Sequence, residues 1–410
     1  MWEFEQEGKE EAEVKMRMRL FRFSSLLYLL FLLSKSLERI VFMRTNFRLR
    51  QRVGWRRIFA MDPLRGRGAQ LNPANRFDLL HFETDEDAWV DDDPRPLRTT
   101  FLRDDSQSVL NSNDAEDLRF EYSVNPYRGC EHGCAYCYAR TYHEYLGYSA
   151  GVDFESKIIV KMEAPRLLEK ALSKPSYKPA MIAMSGVTDC YQPVERKLEI
   201  TRGCLEVMAR FRQPVGLITK NALVARDVDH LSELARHRAA CVFISVTSLD
   251  PKLARILEPR ASSPRARLDA MRALADAGIP VGVSAAPMIP AINDHELPAI
   301  LAAAKEAGAS FSFYTAVRLP GAVAPVFSAW LDKHFPERKE KVLSRIRASH
   351  GGKFNSNVPS ERMRGQGEPA EQLRALFHAT CRRLGLARHP PEMSTAAFRR
   401  VMPGGQGELF

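Results

Sequence analysis

The sequence predicts an α/β protein: a partial (β/α)6 barrel with an extended N-terminal arm and a C-terminal helical extension. Three observations carry this reading. Six short apolar or β-branched runs recur along the middle of the chain, at Phe120–Val124, Ala180–Met184, Val215–Thr219, Cys241–Val246, Val281–Ala285 and Phe311–Ala316. Amphipathic stretches of helical period separate them, and that alternation implies a parallel sheet with right-handed crossovers. Neither Gly-x-Gly-x-x-Gly nor a phosphate loop of the Walker type is present, which favours an open or partial barrel over a nucleotide-binding α/β fold. The 410 residues are 45% apolar and 27% charged, which excludes a wholly disordered, collagenous or many-spanning membrane protein.

Taken in order, residues 1–60 read as a non-structural or mis-started extension. An acidic opening from Glu3 to Glu13 gives way to basic residues and the apolar run Leu26–Leu33, flanked by Arg22 and Lys35. That run is well short of the ~20 residues that span a bilayer, and no small-residue cleavage site follows it. A surface-lying helix is the alternative to a true start at Met43 or Met61. Six of the ten net positive charges fall in this segment, so the body of the chain is only mildly basic. Residues 61–117 carry turn signals at Asn72-Pro73, Asp91–Asp93 and Asn111–Asp114 and little apolar periodicity, and read as an extended arm wrapping the main domain.

Residues 118–320 hold the barrel. Leu198, Cys204, Leu205, Met208 and Phe211 mark one crossover helix; Leu268, Met271, Leu274 and Ala275 mark another, stopped by Gly278 and Pro280. Folds of this kind place chemistry at the carboxyl ends of their strands, where the polar residues are Asp189, Lys220, Asn221, Ser245, Thr247, Asn293, Tyr314 and Thr315. Residues 321–400 read as a helical extension, with helices around 323–348 and near Glu371–Leu384. Between them a Gly/Ser/Asn-rich loop at 350–369 carries Lys353, Arg362 and Arg364, either as a solvated connection or as a mobile cover. Residues 401–410 read as a flexible tail.

Chemistry concentrates in Asn125-Pro126-Tyr127-Arg128-Gly129-Cys130-Glu131-His132-Gly133-Cys134-Ala135-Tyr136-Cys137-Tyr138, just after the first strand run. Seven cysteines in the whole chain are too few and too odd in number for a disulfide scaffold, yet three of them share this loop. Thiolates spaced C-x3-C-x2-C can converge on one cluster, since the glycines allow a tight loop. A [4Fe–4S] cube takes four ligands, so three local cysteines leave one iron open. Zinc is the rival, with His132, His143 or Cys190 as its fourth ligand.

This motif, with an aromatic before its last cysteine, resembles that of the radical S-adenosylmethionine (radical SAM) superfamily, whose barrel is of this partial (β/α)6 type. Asn125–Arg140 with Ser185–Glu195 is similar to the spore photoproduct lyase-related branch often labelled "DNA repair photolyase". The resemblance implies that Cys130, Cys134 and Cys137 hold three irons of a [4Fe–4S] cluster and that the open iron chelates S-adenosyl-L-methionine. It implies reductive cleavage to a 5′-deoxyadenosyl radical that abstracts a substrate hydrogen, with a reductant such as flavodoxin or ferredoxin. By the same resemblance Tyr136 packs beside the adenine or cluster, and Asp189, Lys220 and Ser245 contact the cofactor. Tyr138 matches a tyrosine flanking the last cluster cysteine. Those lyases carry a hydrogen-donor cysteine that aligns near Gly186, where this sequence has none; Cys190 is the thiol on offer instead. Asp189, Glu195, Glu258 and Arg260 are further candidates for the barrel mouth, and Cys204, Cys241 and Cys381 read as core.

Two classes of function follow: a radical SAM enzyme acting on a nucleic-acid or nucleotide substrate, or a non-catalytic iron–sulfur or zinc module that binds nucleic acid or a protein. The missing fourth local cysteine favours the enzyme, because a binding module has no use for an open iron. An oxygen-sensitive cluster needs a reducing interior, so a cytoplasmic protein with no membrane partner is expected. The terminal Gln406-Gly407-Glu408-Leu409-Phe410 resembles the short motif that docks bacterial DNA-maintenance proteins on the sliding clamp, and so points towards DNA.

Overall fold

The computed structural model describes residues 66–77 and 97–401, apart from Glu116 and Arg119. The readings of residues 1–60 and of the tail motif Gln406, Leu409 and Phe410 lie outside these residues. The described residues form ten strands: β1 (Thr100–Arg103), β2 (Leu110–Ser112), β3 (Tyr122–Val124), β4 (Tyr127–Arg128), β5 (Lys157–Val160), β6 (Ile182–Met184), β7 (Val215–Thr219), β8 (Ala240–Ser245), β9 (Val281–Met288) and β10 (Phe311–Ala316). The main sheet runs β10-β9-β8-β7-β6-β3-β2. Its six strands from β3 to β10 are parallel, coincide with the six expected runs, and neighbour one another in chain order. Successive crossovers thus step in one direction around the sheet, which is the partial barrel the sequence predicts.

The strands are buried for a simple reason. β8 reads Ala-Cys-Val-Phe-Ile-Ser and is inaccessible at five of its six positions, as a parallel strand covered on both faces should be. Close packing between β9 and β10 requires Gly282, where an added Cβ would stand 2.2 Å from the Phe311 ring. The crossover helices start on local signals. Asp250 accepts from the Lys252 amide ahead of Pro251–Leu257, and Ser263 from the Ala266 amide ahead of Pro264–Asp276, each with proline in the first turn. The second helix stops at Gly278, whose φ of 73° is the left-handed geometry expected of a helix stop.

Two features were not expected from the sequence. The arm supplies β2, which pairs antiparallel with β3, and β1, which joins β5 and β4 in a separate three-stranded sheet. The carboxy-terminal helices do more than extend the barrel. Val323–His334 and Lys339–Ala348 bury Phe327, Trp330 and Leu343 in a second core that also contains Cys134, Ala135 and Tyr136. Helix Gly367–Leu384 packs Phe377 against Tyr314 of β10, with ring centroids 4.7 Å apart. The 350–369 stretch is not a bare loop: it holds the short helix Pro359–Arg362, and Met363 returns its carbonyl to the Ala316 amide at 3.0 Å. No helix among the described residues is long and apolar enough to cross a membrane.

Candidate functional site

One cavity lies where all six parallel strands end. It is lined by Cys130, Cys134 and Cys137 after β3, Gly186 and Asp189 after β6, Thr219 and Lys220 at the end of β7, and Ser245 of β8. Ser284 and Ala286 of β9, Thr315 of β10, and Arg318 beyond it complete the wall. Its volume is ≈ 220 Å³, on a scale where one water needs about 10–15 Å³, so it is ligand-sized rather than a water pocket.

The cysteine loop is shaped from below. Gly129 and Gly133 sit at φ of 78° and 69°, and a Cβ on Gly133 would stand 2.7 Å from Glu155 Oε2. Cys130 N–H donates to the Phe154 carbonyl at 2.9 Å, and the wholly buried Arg140 donates to the Cys134 carbonyl at 2.9 Å. Glu155, also wholly buried, pairs with Arg140 and accepts the amides of Gly68 and Ala69 at 3.0 and 2.7 Å. A strap from the arm, Arg67-Gly68-Ala69, is thereby seated on the cysteine loop. Gly68 lies so close that an added Cβ would fall 1.6 Å from the Gly133 carbonyl oxygen.

Charge around the cavity is organised by two buried carboxylates. Asp189 accepts from Thr219 Oγ1 and the Lys220 amide, both at 2.8 Å, and faces His132 Nδ1 at 3.3 Å. Burial opposes its ionisation, but His132 and these hydrogen bonds outweigh burial and hold the carboxyl down at about 2. Glu258 accepts from Tyr136 Oη and Thr247 Oγ1, pairs with Arg267, and lies 3.8 Å from Lys220 Nζ. Lys220 Nζ also reaches the Ala286 carbonyl at 3.2 Å. Burial pushes all three loop thiols up, so holding them as thiolates takes positive charge at the site, which a bound metal would supply.

Most of the expected site residues therefore converge: Cys130, Cys134, Cys137, Tyr136, Tyr138, Asp189, Lys220 and Ser245 all line this cavity. Cys190 does not. It lies in the main hydrophobic core, wholly buried, with its amide on Ser185 Oγ and its carbonyl accepting from Thr201 Oγ1. The turn after β6 sends Asp189 to the cavity and its neighbour inward, so a hydrogen-relay role for Cys190 has no geometry behind it. Gly186, near which the family thiol aligns, does line the cavity, and its carbonyl accepts a hydrogen bond from Tyr138 Oη. Glu195 is a core residue bound to Tyr127 and Arg226, not a mouth residue. Asn293 braces the Thr247 and Pro287 carbonyls, and Arg260 reaches from Glu131 to the strap at the Gly66 carbonyl.

The zinc arrangement is not formed either. Both ring nitrogens of His132 are engaged, with Asp189 and Asn221, while His143 is packed edge-on against Phe154. Among the described residues no three His, Cys, Asp or Glu side chains close around a single ion. Cys130, Cys134 and Cys137 all line the one cavity, and a set of three thiols is the donor chemistry that suits an iron–sulfur cluster.

Three contributors escaped the sequence reading. Ser284 Oγ is buried in the cavity wall with no hydrogen-bond partner, and so offers an unused donor to a ligand. Arg318 and Met363 also line the cavity. Each is a single polar or apolar letter outside any motif; only the position of Arg318, two residues past the last strand, could have drawn notice.

The family described as the radical SAM superfamily matches residues 124–304. An uncharacterized protein of Mycobacterium tuberculosis (strain ATCC 25618 / H37Rv) is 34% identical over 244 residues, 59% of this chain and 71% of that protein. An uncharacterized protein of Methanocaldococcus jannaschii is 28% identical over 225 residues, 55% of this chain and 80% of its own. Among solved structures, spore photoproduct lyase complexed with dinucleoside spore photoproduct has a TM-score of 0.51 at 16% identity, over 70% of this chain and 81% of that one; this likeness is one of fold.

Proposed function

Because this chain belongs to the radical SAM superfamily, we propose that Cys130, Cys134 and Cys137 hold a [4Fe–4S] cluster and that the adjoining cavity binds S-adenosyl-L-methionine. The observation that carries the reading is the placing of three thiols, with no fourth local cysteine, in the one cavity where six parallel strands end. When bound, the cluster and S-adenosyl-L-methionine together supply a 5′-deoxyadenosyl radical for hydrogen abstraction.

The chain's own residues bind, orient and shield. Lys220 brings an ammonium group to the wall, held between the Ala286 carbonyl and Glu258, where it suits an anionic carboxylate. Ser245 and the unpartnered Ser284 hydroxyl add donors on neighbouring strands. Asp189 remains ionised and fixes the turn that presents Lys220, while Glu258 fixes the Tyr136 ring beside the thiols. Ile218, Phe313, Ala316 and Val317 supply apolar wall that limits water, which a radical reaction requires.

The substrate proposed is a nucleic acid or nucleotide. Its support is a lyase of the same fold complexed with a dinucleoside, together with the tyrosine at position 138. Reversal of a thymine lesion is not proposed, since Gly186 stands where the donor thiol aligns and Cys190 is in the core. A flavodoxin or ferredoxin reductant and a cytoplasmic setting complete the proposal.

The test is anaerobic purification, reduction with dithionite, addition of S-adenosyl-L-methionine and measurement of 5′-deoxyadenosine. Iron at about four per chain with product formation is the expected result. Cys130→Ala, Cys134→Ala or Cys137→Ala should abolish the cluster absorbance and the product, whereas Cys190→Ala should keep the cluster. Zinc in place of iron with no cleavage, or loss of the cluster in Cys190→Ala, would overturn the assignment.

A further inference from the structure

Directly after Cys137 the chain turns through two short 3-10 helices, Tyr138–Tyr142 and Glu144–Leu146. Tyr138, Tyr142 and Tyr145 recur on them at spacings of four and three. Aromatic rings at such spacing ordinarily face a core, yet these are 36%, 50% and 67% exposed. The row starts at the cavity, which Tyr138 lines, and runs outward. The Tyr142 and Tyr145 ring centroids are 6.5 Å apart, and Phe77 of the arm, itself 51% exposed, lies 4.9 Å from Tyr145.

Cations bracket the row. At its inner end the Arg318 guanidinium stands 4.6 Å over the Tyr138 ring and lines the cavity. Among the described residues Arg318 has no hydrogen bond or ion pair; the nearby Arg362 is already neutralised by Asp117. Holding a half-buried guanidinium with no carboxylate is costly unless a ligand completes it. At the outer end Arg76 lies 4.8 Å over Phe77 and 5.2 Å over Tyr145; it pairs with the buried Glu144 at 3.4 Å while its own side chain stays partly exposed. A solvated charged face has no need of four open rings, and an apolar protein-docking patch has no need of guanidinium groups stacked on them. Alternating π-faces and cations match a polymer that alternates flat bases with phosphates.

We infer that the ledge formed by Tyr138, Tyr142, Tyr145, Phe77, Arg76 and Arg318 binds a single-stranded polynucleotide, stacking bases on the rings and neutralising phosphates at either end, and leads it into the cavity. This rests on the nucleic-acid reading of the substrate given above and assigns it a surface. The stacking is sequence-tolerant, because every base has a π-face, so the ledge sets reach and direction rather than base choice.

The test uses the full-length holoprotein and a fluorescein-labelled single-stranded DNA of about 12 nucleotides, a length within the span of known single-strand sites, read by anisotropy. Loss of two stacking rings should be felt strongly, so Tyr142→Leu with Tyr145→Leu should weaken binding by about thirtyfold or more, while Tyr142→Phe with Tyr145→Phe should stay within about threefold of the parent. Arg318→Ala should flatten the dependence of log K on log salt by about 0.7–1. Circular dichroism and iron content check that each variant is folded. Equal binding by the leucine and parent proteins, a blunt duplex bound as tightly as the strand, or no binding by the parent would each overturn the ledge. If the parent yields 5′-deoxyadenosine but binds no strand, the ledge fails and the radical SAM assignment stands. If it binds the strand in the expected pattern and yields none, the ledge stands and that assignment fails.

Discussion

Glu258 shows how much one side chain can organise. It is buried beneath the cavity, and four groups converge on it: Tyr136, Thr247, Arg267 and Lys220. Burial alone would raise its carboxyl, but Arg267 and Lys220, then the hydrogen bonds from Thr247 and Tyr136, outweigh burial and hold it at about 2. A carboxyl depressed on folding adds stability that is complete above its unfolded value of 4.5 and is lost as pH falls from there through about 2. The thermal midpoint should therefore drop with acid across that window, and part of the drop should vanish in Glu258→Gln. Removing one member of a buried pair costs about 3–5 kcal/mol, so Glu258→Ala, which strands Arg267, should be destabilised by that order at neutral pH in denaturant titration. A Glu258→Gln protein with the parent's full acid sensitivity would show that the carboxylate is not the titrating support.

At the scale of elements, the strap Arg67-Gly68-Ala69 ties the arm to the cysteine loop. Arg67 donates to the carbonyls of Glu155 and Leu97 at 2.5 and 2.9 Å, and Arg260 holds the Gly66 carbonyl at 3.2 Å. Backbone meets backbone at Gly68 and Gly133, so a side chain at 68 must push the strap or the loop aside. Gly68→Val is expected to lower iron loading severalfold. A chain starting at Met61 is expected to keep full loading and solubility, because the strap is retained, whereas one starting at Leu97 should load poorly. Iron per chain and cluster absorbance decide the matter; equal loading of the two truncated chains would show the strap to be dispensable. The strap was hidden from a linear reading because its partner Glu155 lies 86 residues away from Ala69, with no periodicity to mark either. β1 was hidden for the same reason: it is four residues long, mostly exposed, and pairs with a strand 57 positions on.

Across the whole molecule, the cavity wall draws on residues from Cys130 to Met363, so a ligand there braces parts of the chain that are otherwise remote. Anaerobic holoprotein at a hundredfold excess of S-adenosyl-L-methionine over Kd should gain about 2.7 kcal/mol, seen as a higher thermal midpoint, and iron removal by a chelator should lower it; an unmoved midpoint in both would argue against binding in this cavity. The barrel itself was legible in sequence because strands buried on both faces are forced into unbroken apolar runs, as in β8. The thiol loop was legible because its ligands are neighbours in the chain. Cys190 misled for the converse reason: adjacency to Asp189 says nothing of direction where a turn points one side chain out and the next in. An open parallel sheet ends in rows of unpaired amides and carbonyls on which a second chain can template. Here the three-residue β2 occupies one margin, and at the other Ala387 exchanges hydrogen bonds with Ser310 and Ser312 at 3.0 and 2.8 Å. Both caps come from segments outside the repeating strand–helix units. This sheet thus ends in pieces of one and three residues, too short to offer a second chain a long template.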